Sequence, residues 1–227
     1  MTSISIIIPV YNEALALPQT LPHLCSNPNL EIIVVDGGST DDSLAIAQSY
    51  DVKAFLSPEP GRAAQMNAGA ALATGEILLF LHADTQLPTG FETLVRRALQ
   101  DEQVVAGAFE LAIAGSAPGL RWVEWGVKWR SHWFALPYGD QAVFLRRETF
   151  EAIGGFPSLP IMEDFVFVRQ LQRHGKITIL PQPVLTSARR WQRLGILKTT
   201  LINQTMIMGY YAGVKPQRLA DWYRRLR

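Results

Sequence analysis

The junction between Glu31-Ile32-Ile33-Val34-Val35 and Asp36-Gly37-Gly38-Ser39-Thr40-Asp41-Asp42 constrains the fold more than any other stretch of this chain. The first segment is apolar, β-branched and too short for an ordinary helix, which is the pattern of a strand buried on both faces. It delivers Asp36 to the strand's carboxyl end. Two glycines then permit a tight turn, and Ser39 or Thr40 is expected to cap a helix through Ser43–Ser49. A carboxylate at a parallel strand's end, beside a glycine turn and a helix start, lies where open α/β sheets bind nucleotides.

The same alternation continues along the first half. Strands are expected over Ile4–Pro9, Leu30–Val35, Val52–Leu56, Glu76–Leu81 and Val104–Ala112. Helices are expected over Glu13–Cys25 (interrupted by Pro18 and Pro22), Asp41–Tyr50, Arg62–Ala73 and Thr89–Leu99. Repeated β–α–β units predict an α/β fold, a mostly parallel central sheet with helices on both faces. At 227 residues this is one domain with a full core, and no linker divides it.

Beyond Ala114 the pattern changes. Pro118–Leu136 carries Trp122, Trp125, Trp129 and Trp133 on one helical stripe. The stripe reads either as a face turned to the core or to another subunit, which would make a homodimer, or as an interfacial helix. In the second case its tryptophans would sit at headgroup level, with Arg121, Lys128 and Arg130 near phosphates. Arg189 to Arg227 holds nine basic residues and one acidic, a net +8 that leaves −7 for the rest of a chain whose total is +1. That asymmetry suits either a membrane surface or a solvated helix face, whereas the total gives no general attraction for nucleic acid. Cys25, the only cysteine, cannot form an internal disulfide and reads as a small core hydrophobe. With no secretory leader and no apolar run of membrane-spanning length, the expected location is the cytoplasm, peripheral at the inner membrane face.

Four constellations fall at strand ends and would line one edge of the sheet. In Pro9-Val10-Tyr11-Asn12-Glu13, Pro9 stops pairing, Tyr11 can stack on a base, and Glu13 reads as a ribose ligand or a helix cap. Asp36 reads as an acceptor for a pyrimidine imide N–H or as an Asx-turn residue. In Gly61-Arg62-Ala63-Ala64-Gln65-Met66-Asn67-Ala68-Gly69, Arg62 opens a helix of small residues and reads as a pyrophosphate ligand or a surface ion pair. Neither a G-x-G-x-x-G fingerprint after a strand nor a G-K-[ST] phosphate loop is present. In Leu79-Phe80-Leu81-His82-Ala83-Asp84-Thr85, His82 and Asp84 stand two residues apart in extended chain, on one side. They read as ligands of Mn2+ or Mg2+, or as a satisfied core histidine and a helix cap.

Together these segments resemble the family 2 glycosyltransferases of the GT-A fold, from about Ser3 to His174. The resemblance is carried by Ile6-Ile7-Ile8-Pro9-Val10-Tyr11-Asn12-Glu13, Val35-Asp36-Gly37-Gly38-Ser39-Thr40-Asp41, Gly61-Arg62 through Asn67-Ala68-Gly69, and Phe80-Leu81-His82-Ala83-Asp84. Ile153-Gly154-Gly155-Phe156 with Glu163-Asp164 completes it. It implies that Pro9, Tyr11, Glu13, Asp36 and Gly37 surround the nucleoside, with Asp36 on the base, and that Arg62 and Asn67 serve the donor. Asp84 matches the last Asp of the family's D-x-D metal motif, where His82 stands in place of the first. Asp164, beside Glu163, matches the general base that deprotonates an acceptor hydroxyl, with inversion at the anomeric carbon. Of the processive members' Q-x-x-R-W motif only Arg190-Trp191 remains, so a single transfer is expected, with Arg190 near the diphosphate and Trp191 over the acceptor.

The resemblance thus implies a glycosyltransferase using a nucleotide-diphosphate sugar of UDP type and a divalent cation, on a lipid or small hydroxyl acceptor. Residues 1–114 would bind the donor, 115–191 the acceptor, and 192–227 would form a helical end. Two rivals remain. A nucleotidyltransferase would carry a glycine-rich basic loop where Pro9–Glu13 stands, and a non-catalytic nucleotide-sugar sensor would have no need of Asp164.

Overall fold

Ile4, Ile6, Ile8 and Val10 of β1 (Ile4–Val10) join one hydrophobic cluster and Ile7 another, so the first strand is buried on both faces. The same division holds for β2 (Leu30–Asp36), with Ile32 and Val34 opposite Ile33 and Val35, and for β4 (Ile77–Phe80), with Ile77 and Leu79 opposite Leu78 and Phe80. Period-two alternation inside unbroken apolar runs is what a covered parallel sheet requires. The computed structural model describes residues 2–226; Met1 and Arg227, the last residue of the basic ending, lie outside the described residues.

The sheet is completed by β3 (Lys53–Leu56), β5 (Thr85–Gln86), β6 (Val104–Ile113), β7 (Phe144–Arg146) and β8 (Lys176–Thr186), in the order β3-β2-β1-β4-β7-β6-β8-β5. β1 pairs in parallel with β2 and β4, β2 with β3, and β6 with β8. The short β7 runs antiparallel between β4 and β6, and β5 antiparallel on β8. The mostly parallel arrangement expected from the sequence is therefore present.

One face is covered by α1 (Leu17–Cys25), α2 (Ser43–Gln48), α4 (Phe91–Ala98) and α5 (Pro118–Phe134). The other is covered by α3 (Arg62–Leu72), α6 (Arg147–Ala152) and α7 (Glu163–Leu171), where Phe80, Phe150, Phe156 and Phe167 stack in one aromatic group. The chain ends in α8 (Arg189–Leu194), α9 (Ile196–Tyr211) and α10 (Pro216–Leu226). A third cluster of Met162, Phe165, Met206 and Leu219 fastens α9 and α10 to the start of α7.

Several expectations need correction. The first helix begins at Leu17, so Pro18 falls in its first turn and only Pro22 stays inside. Neither Ser39 nor Thr40 caps α2, which starts at Ser43 after Asp42. Instead the Ser39 hydroxyl accepts from Asn12 N at 2.8 Å, and Asn12 Oδ1 accepts from Thr40 N at 2.8 Å. The two residues lace the loops after β1 and β2 together. The tryptophan stripe does not face the core: Trp122, Trp125 and Trp133 are 74%, 61% and 73% exposed, while Leu120, Val123 and Val127 make the inward contacts. Its basic neighbours are engaged within the protein. Arg121 donates to Ile113 O at 2.7 Å, Lys128 pairs with Glu110 at 3.0 Å, and Arg130 stacks 3.4 Å over the Tyr138 ring.

Candidate functional site

The carboxyl ends of β1, β2 and β4 lie side by side, because these strands are parallel neighbours. Asp36 is buried, and its Oδ1 accepts the N–H groups of Gly38 and Ser39, both at 2.8 Å. Gly38 makes that turn with φ at +91°, a conformation favouring glycine. Asp36 Oδ2 is buried with no hydrogen-bond partner among the described residues. Oδ1 thus builds the turn expected of an Asx residue. A buried carboxylate oxygen without a partner is costly, so Oδ2 calls for a donor that the described residues do not supply.

Gln65 of α3 holds these strand ends in position. Its Nε2 donates to Val10 O at 2.7 Å and Val35 O at 2.8 Å, and Gly37 lies flush against it. Pro9 does not stop pairing as expected: it lies inside β1 in register with Val35 of β2, the strand runs on to Val10, and Tyr11 just beyond is 60% exposed. Asn67 is not brought to the cleft: its amide donates to Phe156 O and accepts from Phe156 N, both at 2.9 Å. It braces α3 against the Gly154–Phe156 loop.

Arg62, the first residue of α3, is a hub. Its Nε donates to Glu163 Oε1 at 2.5 Å, its Nη2 lies 3.2 Å from Asp164 Oδ2, and its Nη1 lies 3.0 Å from His82 Nε2. A guanidinium carries only donors, so His82 Nε2 accepts and the imidazole is neutral with its proton on Nδ1. Burial and the adjacent Arg62 charge both hold the His82 pKa below its ordinary value. Asp164 also takes the N–H of Gly139 at 3.1 Å and of Phe165 at 2.7 Å. Burial pushes its carboxyl up, but the Arg62 charge and those two N–H groups outweigh it, and its pKa lies below the usual range. Gly139 lies close against both groups: a Cβ there would stand 3.0 Å from His82 Nε2 and 3.2 Å from Asp164 Oδ2, so any larger residue would press on them.

A second arginine, given no role by the sequence, ties the loops after β1 and β4 together. Arg189 Nη2 contacts both Glu13 Oε2 at 2.5 Å and Asp84 Oδ2 at 3.0 Å. Burial raises the Glu13 pKa against the opposing pull of Arg189. His82 and Asp84 therefore line the same cleft but engage different arginines. Arg190 points to Asn203 Oδ1 at 2.9 Å and stacks over Tyr223, while Trp191 packs partly into the core and lines the cleft. Tyr138 and Asp140, also missed, line it from the turn holding Gly139.

The cleft measures about 1050 Å³. Its floor is polar (His82, Asp84, Glu163, Asp164), and its far wall is apolar, built by Met162, Phe165, Met206 and Ile207. Among the described residues no three His, Cys, Asp or Glu side chains converge as a metal cage. The donor set fits a different arrangement, in which Mg2+ or Mn2+ sits on one or two carboxylates and takes its remaining ligands from phosphates. Asp84, with Glu13 beside it, would hold such an ion, whereas His82 Nε2 is turned to Arg62.

The model for glycosyl transferase family 2 matches residues 5–157. Among curated proteins the chain is 35% identical over 111 residues to the uncharacterised glycosyltransferase YibD of Escherichia coli, covering 45% of this chain and 32% of that protein. It is also 35% identical over 115 residues to the undecaprenyl-phosphate 4-deoxy-4-formamido-L-arabinose transferase of Sodalis glossinidius, covering 45% and 35%. The match thus spans about a third of these relatives' length. Among solved structures it resembles the mannosyltransferase PcManGT of Pyrobaculum calidifontis in complex with GDP-Man and Mn2+. The TM-score is 0.65 at 22% identity, over 99% of this chain and 70% of that one. TarS of S. aureus gives a TM-score of 0.66 at 17% identity over 87% and 64%. The fold is that of GT-A glycosyltransferases.

Proposed function

The chain belongs to glycosyl transferase family 2, and from that premise we propose that it moves one sugar from a UDP-type nucleotide sugar to an acceptor hydroxyl, with inversion. The observation carrying this reading is the single cleft in which Asp84, at the end of β4, faces Glu163 and Asp164 across His82 and Arg62. Asp36 Oδ2 accepts the base imide N–H, and Tyr11, Pro9 and Glu13 flank the nucleoside. Asp164, ionised at neutral pH, takes the acceptor proton as the hydroxyl oxygen attacks the anomeric carbon. Arg62 holds that carboxylate in place and carries positive charge toward the leaving diphosphate. A divalent cation, when bound, neutralises charge growing on the diphosphate. PcManGT in complex with GDP-Man and Mn2+ supports a nucleotide-sugar donor and a metal, and TarS in complex with UDP-GlcNAc supports the UDP type.

Titration calorimetry of nucleoside diphosphates with and without Mn2+ tests the donor site. UDP is expected to bind, and Asp36→Asn to weaken it roughly 10- to 100-fold, the worth of one hydrogen bond to a charged group. Asparagine keeps an oxygen for the turn and loses only the second acceptor. If no nucleoside diphosphate binds, the donor reading fails.

The apolar wall of Met162, Phe165, Met206 and Ile207 supports an acceptor with an apolar body. Relatives named as undecaprenyl-phosphate transferases support a lipid one. No helix among the described residues is long and apolar enough to cross a membrane. The exposed tryptophans of α5 offer a surface contact instead, made by rings because Arg121, Lys128 and Arg130 are already engaged. Vesicles of phosphatidylcholine alone are therefore expected to bind the protein. Trp122→Ser with Trp125→Ser should weaken that binding roughly tenfold, and salt should change it little. Equal binding by both proteins would remove α5 from the contact.

A further inference from the structure

Arg189 places one guanidinium nitrogen between two carboxylates that reach it from different strand ends, Glu13 after β1 and Asp84 after β4. It is attached in a way that lets it leave. Its side chain is 47% exposed, α8 contains no fully buried residue, and Gly195, with φ at +83°, separates α8 from α9. Arg62 is its opposite, fixed on Glu163, Asp164 and His82 at the base of the cleft. The sole cation on Asp84 among the described residues is therefore the displaceable one. We propose that Arg189 is a tethered stand-in for the divalent cation: metal and guanidinium compete for Asp84 and Glu13, and a diphosphate arriving with metal releases Arg189 to the phosphate oxygens.

The proposal rests on reading the cleft as a donor site, and it makes two predictions of opposite sign. Without nucleotide, Arg189→Ala and Arg189→Gln are each expected to bind Mn2+ at least tenfold more tightly than wild type, read from the free-Mn2+ electron paramagnetic resonance signal. Without metal, the same variants should bind UDP several-fold more weakly, because a phosphate ligand is gone. Arg193→Ala removes the same charge from an exposed position on α8 without touching Asp84, and should change Mn2+ affinity less than twofold. Adding Asp84→Asn to Arg189→Ala should abolish the gain. Mn2+ affinity unchanged in both Arg189 variants, or raised equally by Arg193→Ala, overturns the proposal. The Mn2+ arm uses no nucleotide, so failure of the donor reading, seen as no UDP binding by wild type, is a separate result.

Discussion

Asp164→Asn is expected to lower the rate of sugar transfer by roughly 10²- to 10⁴-fold, the usual worth of a positioned general base, while UDP binding persists. The carboxylate is already ionised and oriented, by Arg62 at 3.2 Å and by the N–H groups of Gly139 and Phe165. An asparagine amide set toward Arg62 and Gly139 would meet donors with a donor, so Asp164→Ala serves as a second variant without that conflict. Either variant transferring or hydrolysing a UDP-sugar at the wild-type rate removes Asp164 from the base role.

The pH profile separates Asp164 from its neighbour His82. Asp164 lies below the usual carboxylate range, so kcat/KM should show no acidic limb from it until pH falls below about 4. A limb between about pH 6 and 7 that disappears in His82→Asn would transfer the proton to the imidazole. The structure argues against that outcome, since His82 Nε2 accepts from Arg62 and its pKa is held down by burial and that charge.

What was legible in the sequence was local. Buried parallel strands announce themselves as β-branched runs, and glycine or proline at their ends marks the turn, which placed Pro9, Asp36, His82 and Asp84 along one sheet edge. Partners distant in the chain left no such trace. Arg189 reaches Glu13 across 176 residues and Asp84 across 105, and Arg62 reaches Glu163 across 101. Gln65, polar inside an alanine-rich helix, was the one visible hint of the brace between Val10 and Val35. β8 escaped notice because Pro181 and Pro183 interrupt it, and its pairing with β6 shifts register there, between Phe109 and Glu110. The tryptophan stripe shows the complementary limit: periodicity places four rings on one face of α5 but does not say whether that face turns inward.

Arg62→Ala is expected to cost both stability and activity, and the two losses can be separated. Glu163 is 6% exposed at its side chain, so removing Arg62 leaves a buried carboxylate beside the Asp164 charge. Breaking a fully buried pair costs about 3–5 kcal/mol; Arg62 is itself 36% exposed, so about 2–3 kcal/mol is the fitting figure. For a chain of this size that is a fall in Tm of roughly 4–12 °C. The Asp164 pKa is depressed in the fold, so its contribution is present above the ordinary carboxylate pKa and disappears as pH falls through the folded value. The stability gap between wild type and Arg62→Ala should accordingly be largest at neutral pH and shrink below about pH 4. Adding Glu163→Gln to Arg62→Ala removes the stranded buried charge and should recover much of the Tm. It should not recover transfer, because Asp164 still lacks the guanidinium that orients it. Recovery of both would make Arg62 a structural counter-ion alone. A Tm unmoved by Arg62→Ala would mean that solvent, rather than Arg62, stabilises the Glu163 and Asp164 charges.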